Sequence, residues 1–386
     1  MAKTLSTPPR RVAIVHEWLV TYAGSERVVR ELLTLFPEAD LFALVDFLPD
    51  DDRKKLFGKR AKTSFIQSLP FARSKYRSYL PLMPLAVEQF DLSAYDLIIS
   101  SSHAVAKGVL TGPDQTHICY CHTPARYAWE MQHQYLRESG LIRGVKSILA
   151  RALLHYIRLW DYRTAAGVDV FVANSNYVAR RIQKTYGRNA MVVHPPVDVD
   201  AFSLRETKEN FYLAASRMVP YKRMDLIVKA FAAMPERRLV VVGEGPELAR
   251  IQKYGAENIS FLGHQPEPAL RDYLQRARAF VFAAEEDFGI LAVEALACGT
   301  PLIAFGRGGV LDSATVPPPL PPVSVLFHEQ TVDSLIQAVE QFEAAPVWNA
   351  QACRNAAARF HPRNFAAGIT AIIAANPPYN RHVSHD

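Results

Sequence analysis

Short apolar runs of four to six residues alternate along this chain with stretches whose apolar positions recur every three or four residues. The first run is 11–16 (RVAIVH), followed by a helical pattern carrying Val28, Val29, Leu32, Leu33 and Phe36 on one face. Further runs follow at 41–45, 95–100, 117–121 and 168–173, with a helix at 177–186 and a close at Val192, Val193 and the Pro195-Pro196 pair. The pattern then restarts. Runs at 211–215, 239–242, 259–262, 280–283 and 302–305 alternate with helical stretches such as the one holding Leu226, Ile227, Ala230 and Phe231. Apolar runs separated by helices predict parallel strands covered on both faces. The expected class is therefore α/β: two Rossmann-like, doubly wound parallel-sheet domains facing one cleft. The expected boundaries are 1–197, 198–362, and a C-terminal segment 363–386 whose helix (363–375) packs back on the first domain. The segment 195–202 reads as the linker, and the tail after Pro377 as disordered. Ligands of such sheets sit beyond the carboxyl ends of the strands, so functional residues should follow strands.

Composition narrows this only a little. With 386 residues, 49% hydrophobic and 21% charged, the chain has ordinary globular chemistry, which excludes wholesale disorder. Lys plus Arg exceeds Asp plus Glu by six (44 against 38), too small a surplus to name a nucleic-acid partner. The four cysteines, Cys119, Cys121, Cys298 and Cys353, form no C-x-x-C pair and read as small buried hydrophobes in a reducing cytosol. No signal peptide and no spanning segment is expected, which leaves a cytosolic chain or one held at a membrane surface.

Candidate chemistry follows strand ends. After the run at 280–283 comes Glu285-Glu286-Asp287, then a helix expected to start near Phe288 with Asp287 as its cap. The amides of Phe288, Gly289, Ile290 and Leu291 would then face an anion. Glu286 and Glu294, eight residues apart, could approach one elongated ligand from the loop and the helix face. After the 211–215 run come Arg217 and Lys222, a guanidinium fork and a point charge suited to a diphosphate. Gly243, Glu244 and Gly245 form a third strand-to-helix turn open to a ligand. In the first half, His122 ends a strand, Arg126 lies just beyond it, and Gly24 opens the first helix near the same phosphates. His16 and His103 also end strands. Asp198-Val-Asp200 has the form of a metal-binding D-x-D, but its place in the Pro-rich linker favours a turn. No metal site is expected, since the Arg/Lys pair could replace a metal's charge.

Residues 53–79 carry nine basic side chains and no acid. Lys54, Lys55, Lys59, Arg60 and Lys62 lead this block, with aromatics interleaved. The block suits an anionic leaflet or a lipid diphosphate better than nucleic acid. The amphipathic stretch 141–160, with Arg143, Lys146, Arg151 and Arg158, could extend that surface.

Taken together these segments resemble retaining glycosyltransferases of family 4, with the GT-B fold, over about 11–375. The E-x7-E element Glu286–Glu294, with Phe288-Gly289 inside it, and the Arg217/Lys222 pair carry the resemblance. It implies that Glu286 faces the donor sugar, that Glu294 contacts the nucleotide ribose, and that His122 lies near the reacting centre. SSSHAVAKG at 100–108, CHTPARYAW at 121–129, NSNYVARR at 174–181, VPYKR at 219–223 and EDFGI at 286–290 are more specific. They resemble bacterial mannosyltransferases of exopolysaccharide assembly. That resemblance implies a GDP-mannose donor, a polyprenyl-diphosphate-linked saccharide as acceptor, no essential divalent metal, and a place on the inner face of the cytoplasmic membrane. The branch usually has a short loop ending in Thr-Gly after Gly308-Gly309; here a Pro-rich segment, 310–323, replaces it. Two other readings stay open: a nucleotide-sugar epimerase on the same fold, and a non-catalytic nucleotide-sugar or lipid-binding protein.

Overall fold

The computed structural model describes residues 11–345 and 347–377; the polar N-terminus and the tail expected to be disordered lie outside the described residues. The chain divides into two compact units. One runs to Pro195 and resumes at Phe365, and the other is Pro196–Asn364.

The first unit holds β1 (Val12–His16), β2 (Asp40–Ala43), β3 (Lys62–Thr63), β4 (Leu97–Ser102), β5 (Thr116–Cys121), β6 (Val170–Ala173) and β7 (Ala190–Val192). They form one sheet in the order β3-β2-β1-β4-β5-β6-β7, with every pair parallel. β1, β4 and β5 are buried along their whole length, which is why they read as unbroken runs rather than alternating ones. One face of the sheet packs against Val28, Val29, Leu32 and Leu33 of the Gly24–Leu35 helix and against Phe365, Ile369, Ile372 and Ile373 of the Pro362–Ala375 helix. Cys119 and Cys121 point together into a small core with Phe171 and Val178, and all four cysteines are buried and free.

The second unit holds β8 (Tyr212–Ala215), β9 (Leu239–Val242), β10 (Ile259–Phe261), β11 (Ala279–Phe282), β12 (Leu302–Phe305) and β13 (Ser324–Phe327). Their order, β10-β9-β8-β11-β12-β13, is the doubly wound 3-2-1-4-5-6 arrangement, again all parallel. The strand order reverses between β8 and β11, so the crevice beyond Ala215 and Phe282 is where such a sheet takes a ligand.

Two expectations need correction. The segment read as a linker is part of the second core: Val197, Val199 and Phe202 are buried there, and the Val197 amide donates to the Phe360 carbonyl at 2.8 Å. Its apolar residues outweighed its prolines. The D-x-D forms a short turn, as its place favoured, with Asp200 accepting from His361 Nε2 at 2.9 Å and lying 3.6 Å from Arg354. The 141–160 stretch becomes a helix at Val145–Thr164, and apolar residues line its exposed side as well as its buried one.

Candidate functional site

In the second unit three loops meet at the strand-order reversal. The loop after β8 lies on the loop after β9: the Ser216 amide donates to the Val242 carbonyl (3.0 Å) and the Met218 amide to the Glu244 carbonyl (2.8 Å). Glycine is required here. Gly243 has φ +128°, and a Cβ on it would lie 1.9 Å from the Ser216 carbonyl oxygen; one on Gly245 would lie 2.5 Å from that of Met218. The third loop follows β11. There Lys222 Nζ donates to Glu286 Oε1, so the two residues expected to handle the diphosphate and the sugar are in direct contact. Both are largely screened from water. Arg223, in a left-handed conformation, donates to Gln330 Oε1 at 2.8 Å, and Gln330 Nε2 donates to the Ala283 carbonyl at 2.8 Å, tying the two loops together from below. Arg217 stays exposed at the end of β8. Glu244 Oε1 accepts from the His264 amide at 3.3 Å.

The helix after β11 starts later than expected. It is Ile290–Ala297, capped by Gly289 at φ +89°, and Asp287 is not its cap. A left-handed glycine can end the loop two residues further on than a side-chain cap would. The Phe288 ring is core, edge-on to Phe360 at 5.4 Å, so only its backbone can serve an anion. Ile290 and Leu291 lean on the same core, and Glu294 is 7% exposed. Gly308 and Gly309 hold this loop from beneath. A Cβ on Gly309 would lie 2.1 Å from the Asp287 carbonyl oxygen, and the Gly309 amide donates to that of Glu286 at 2.7 Å. The unusual Pro-rich segment leaves that support intact, since residues 317–322 are exposed and lie beyond it in sequence.

In the first unit the ends of β1, β4 and β5 bring three histidines together. His122 Nε2 and Ser101 Oγ lie 2.8 Å apart, Ser101 Oγ and His16 Nδ1 3.1 Å, and His16 Nε2 and Glu26 Oε1 3.4 Å. The His103 ring is 6.2 Å from that of His122 and 6.4 Å from that of His16. Removal from water, reinforced by the neighbouring His103 and His16, holds His122 well below the usual histidine range, so it is neutral at pH 7. Burial also lowers His103, against the opposing pull of Glu17. Burial would raise the Glu17 carboxyl, but His103 and the amides of Val105, Ala104 and Ala106 override it and hold it ionised. Glu17 thus occupies the amide cluster at the end of β4, accepting from His103, Ala104, Val105 and Ala106 at 2.7–3.1 Å. Gly24 starts its helix as expected, but Glu26 Oε2 accepts from the Ala23 amide at 3.0 Å, which occupies one donor of that turn.

Ser101 and Glu17 were not legible as site residues. The register that sets His16 opposite Ser101 on neighbouring strands was the missing information. Most cations that lead the basic block have local partners. Arg53 is buried in a two-pronged pair with Asp46, Lys54 pairs with Asp51, Lys55 with Asp52, and Lys62 with Asp40, while Lys59 Nζ donates to the Ala39 carbonyl. The carboxylates come from just outside the acid-free stretch. Arg60 remains exposed, and Arg126 sits in the turn after His122.

Two parallel sheets of Rossmann type, one with a lysine–carboxylate pair at its strand-order reversal, define a doubly wound α/β protein. Its residues 196–358 match the family of glycosyl transferases group 1, and residues 22–201 match Glycosyltransferase Family 4. The chain belongs to glycosyltransferase family 4 and has the GT-B fold. It is similar to a GDP-mannose-dependent monoacylated alpha-(1-6)-phosphatidylinositol monomannoside mannosyltransferase of Corynebacterium glutamicum, 29% identical over 225 residues (50% of this chain, 57% of the other). It is also similar to a D-inositol 3-phosphate glycosyltransferase of Kribbella flavida, 31% identical over 192 residues (41% and 45%). The chain thus spans about half the length of these relatives. Among solved structures, Anabaena HepE in complex with UDP superposes with a TM-score of 0.67 at 16% identity (95% of this chain, 100% of the other). Sucrose-phosphate synthase of Thermosynechococcus elongatus gives 0.69 at 17% (95% and 99%).

Proposed function

We infer that this chain is a retaining glycosyltransferase that moves a hexose from a nucleotide sugar to a lipid-linked saccharide. The observation that carries the reading is the Lys222–Glu286 pair at the carboxyl ends of β8 and β11. Without donor the two charges neutralise each other. With donor, Lys222 turns to the diphosphate with Arg217, and Glu286 accepts from hydroxyls of the sugar. Glu294 receives the ribose. The Gly243–Gly245 turn, the 287–291 backbone and Gly24 complete the donor contacts, and His122, neutral, sits near the reacting carbon. Mannose from GDP-mannose is the favoured donor, supported by the GDP-mannose-dependent relative. The favoured acceptor is a polyprenyl-diphosphate-linked saccharide in exopolysaccharide assembly. It is met on the inner face of the cytoplasmic membrane, where anionic lipid is the chain's other partner. The two-domain division at 197 and 362 belongs to the same reading. No divalent metal is needed, because Arg217 and Lys222 meet the diphosphate charge.

Retention follows from front-face attack: the acceptor hydroxyl hydrogen-bonds the leaving phosphate while Arg217, Lys222 and the loop amides stabilise the charge growing there. Lys222→Ala and Glu286→Ala should each lower turnover by about 10²–10³ while the protein remains folded. Near-normal turnover in both variants, with donor binding intact, would remove the assignment.

A further inference from the structure

The Val145–Thr164 helix carries apolar side chains on its exposed side as well as on its buried one. Its inward side carries Ser147, Asp161 and Thr164, all buried, together with Ile157 and Trp160. Its outward side is an apolar stripe at helical spacing: Val145, Ile148, Leu149, Ala152, Tyr156 and Leu159. Val145 is 72% exposed, Ile148 67%, Leu149 64% and Leu159 61%. Isolated exposed apolar residues mean little, but a continuous stripe from Val145 to Leu159 marks a contact surface.

Charge selects the occupant. Between 139 and 164 the only carboxylate is Asp161, buried and paired with Lys107, while Arg143 and Lys146 flank the start of the stripe. A second copy packed on this face would bring those cations against a helix with no exposed carboxylate to receive them. An anionic bilayer offers an apolar interior for the stripe and phosphates for the cations. We propose that this chain seats on anionic membrane through the apolar face of the Val145–Thr164 helix, which lies in the plane of the interface. The proposal rests on the reading of a lipid-linked acceptor. It locates the contact on this helix and not on the Lys54–Lys62 block, whose cations are largely held by Asp51, Asp52 and Asp40.

The test is co-sedimentation of the full chain with phosphatidylglycerol/phosphatidylcholine vesicles and with phosphatidylcholine alone, no sugar being present. The wild type should bind the anionic vesicles, and the double variant Ile148→Glu/Leu149→Glu should bind at least about tenfold more weakly. Both side chains are exposed, so the variant should keep its thermal transition and its donor binding. Unchanged vesicle affinity in the variant, or a wild-type dimer that the variant converts to monomer, overturns the proposal. So does an absence of vesicle binding while transfer to a detergent-dispersed acceptor persists, an outcome that leaves the transferase reading standing. Vesicle binding that follows the helix, with no transfer from any donor, supports the seat and removes the transferase reading instead.

Discussion

Lys222 and Glu286 stand 64 positions apart in sequence and touch in the fold, because each follows a strand at the point where the second sheet's order reverses. Both residues could be chosen from sequence, since strand ends in such sheets face the ligand. Their mutual contact could not, because it depends on how the Val219–Lys222 turn folds back. The same limit hid Ser101, the shared partner of His122 and His16. A serine in a run of three carries no signal until the strand register is known. His117 offers a test at this scale. It is fully buried, held by Ser100 Oγ at 2.8 Å and the Gly167 carbonyl at 3.1 Å, and burial lowers it to about 4. A depressed histidine binds its proton more weakly folded than unfolded. Stability should therefore be full above about pH 6.5 and fall by roughly 3 kcal/mol as pH drops towards 4. Urea titrations across that range check it, and a His117→Gln variant should show a shallower decline.

At the level of elements, the 100–108 segment illustrates what a motif conceals. Its Lys107 is buried and donates to Asp161 Oδ1 at 2.6 Å and Thr164 Oγ1 at 3.1 Å, while Trp129 Nε1 and the Tyr186 hydroxyl donate to the same Asp161 at 2.7 and 2.9 Å. These contacts moor the end of the Val145–Thr164 helix. Lys107→Met should cost about 3–5 kcal/mol by leaving Asp161 buried without its cation. Chemical denaturation measures this, and a loss below 1 kcal/mol would contradict the role. Gly108 lies under the same helix, and a Cβ there would sit 2.2 Å from the Trp160 ring. Gly108→Ala should therefore destabilise by about 1–3 kcal/mol, read from the same curves. The helix itself was legible as amphipathic, but not which side faces out. Periodicity gives the angle between faces, and only packing against Tyr127, Trp129 and Leu80 decides which is turned inward.

For the whole molecule, the two parallel sheets were plain in the chain because their central strands are buried on both sides and read as unbroken apolar runs. The start of the Ile290–Ala297 helix was misplaced by two residues, since a left-handed glycine leaves a weaker trace than a side-chain cap. The partners of the basic block were hidden for a different reason. Composition within 53–79 does not see Asp40, Asp46, Asp51 and Asp52 outside it. What remains is the chemistry those sheets serve. It is tested most directly by incubating the full chain with a panel of nucleotide sugars and a bacterial lipid extract, then identifying products by mass spectrometry. The account predicts a single hexose added to a diphosphate-linked lipid saccharide from GDP-mannose, and the same product formed about 10²–10³ more slowly by the Glu286→Ala variant. Donor binding without transfer from any sugar nucleotide, or conversion of the donor alone, would contradict it.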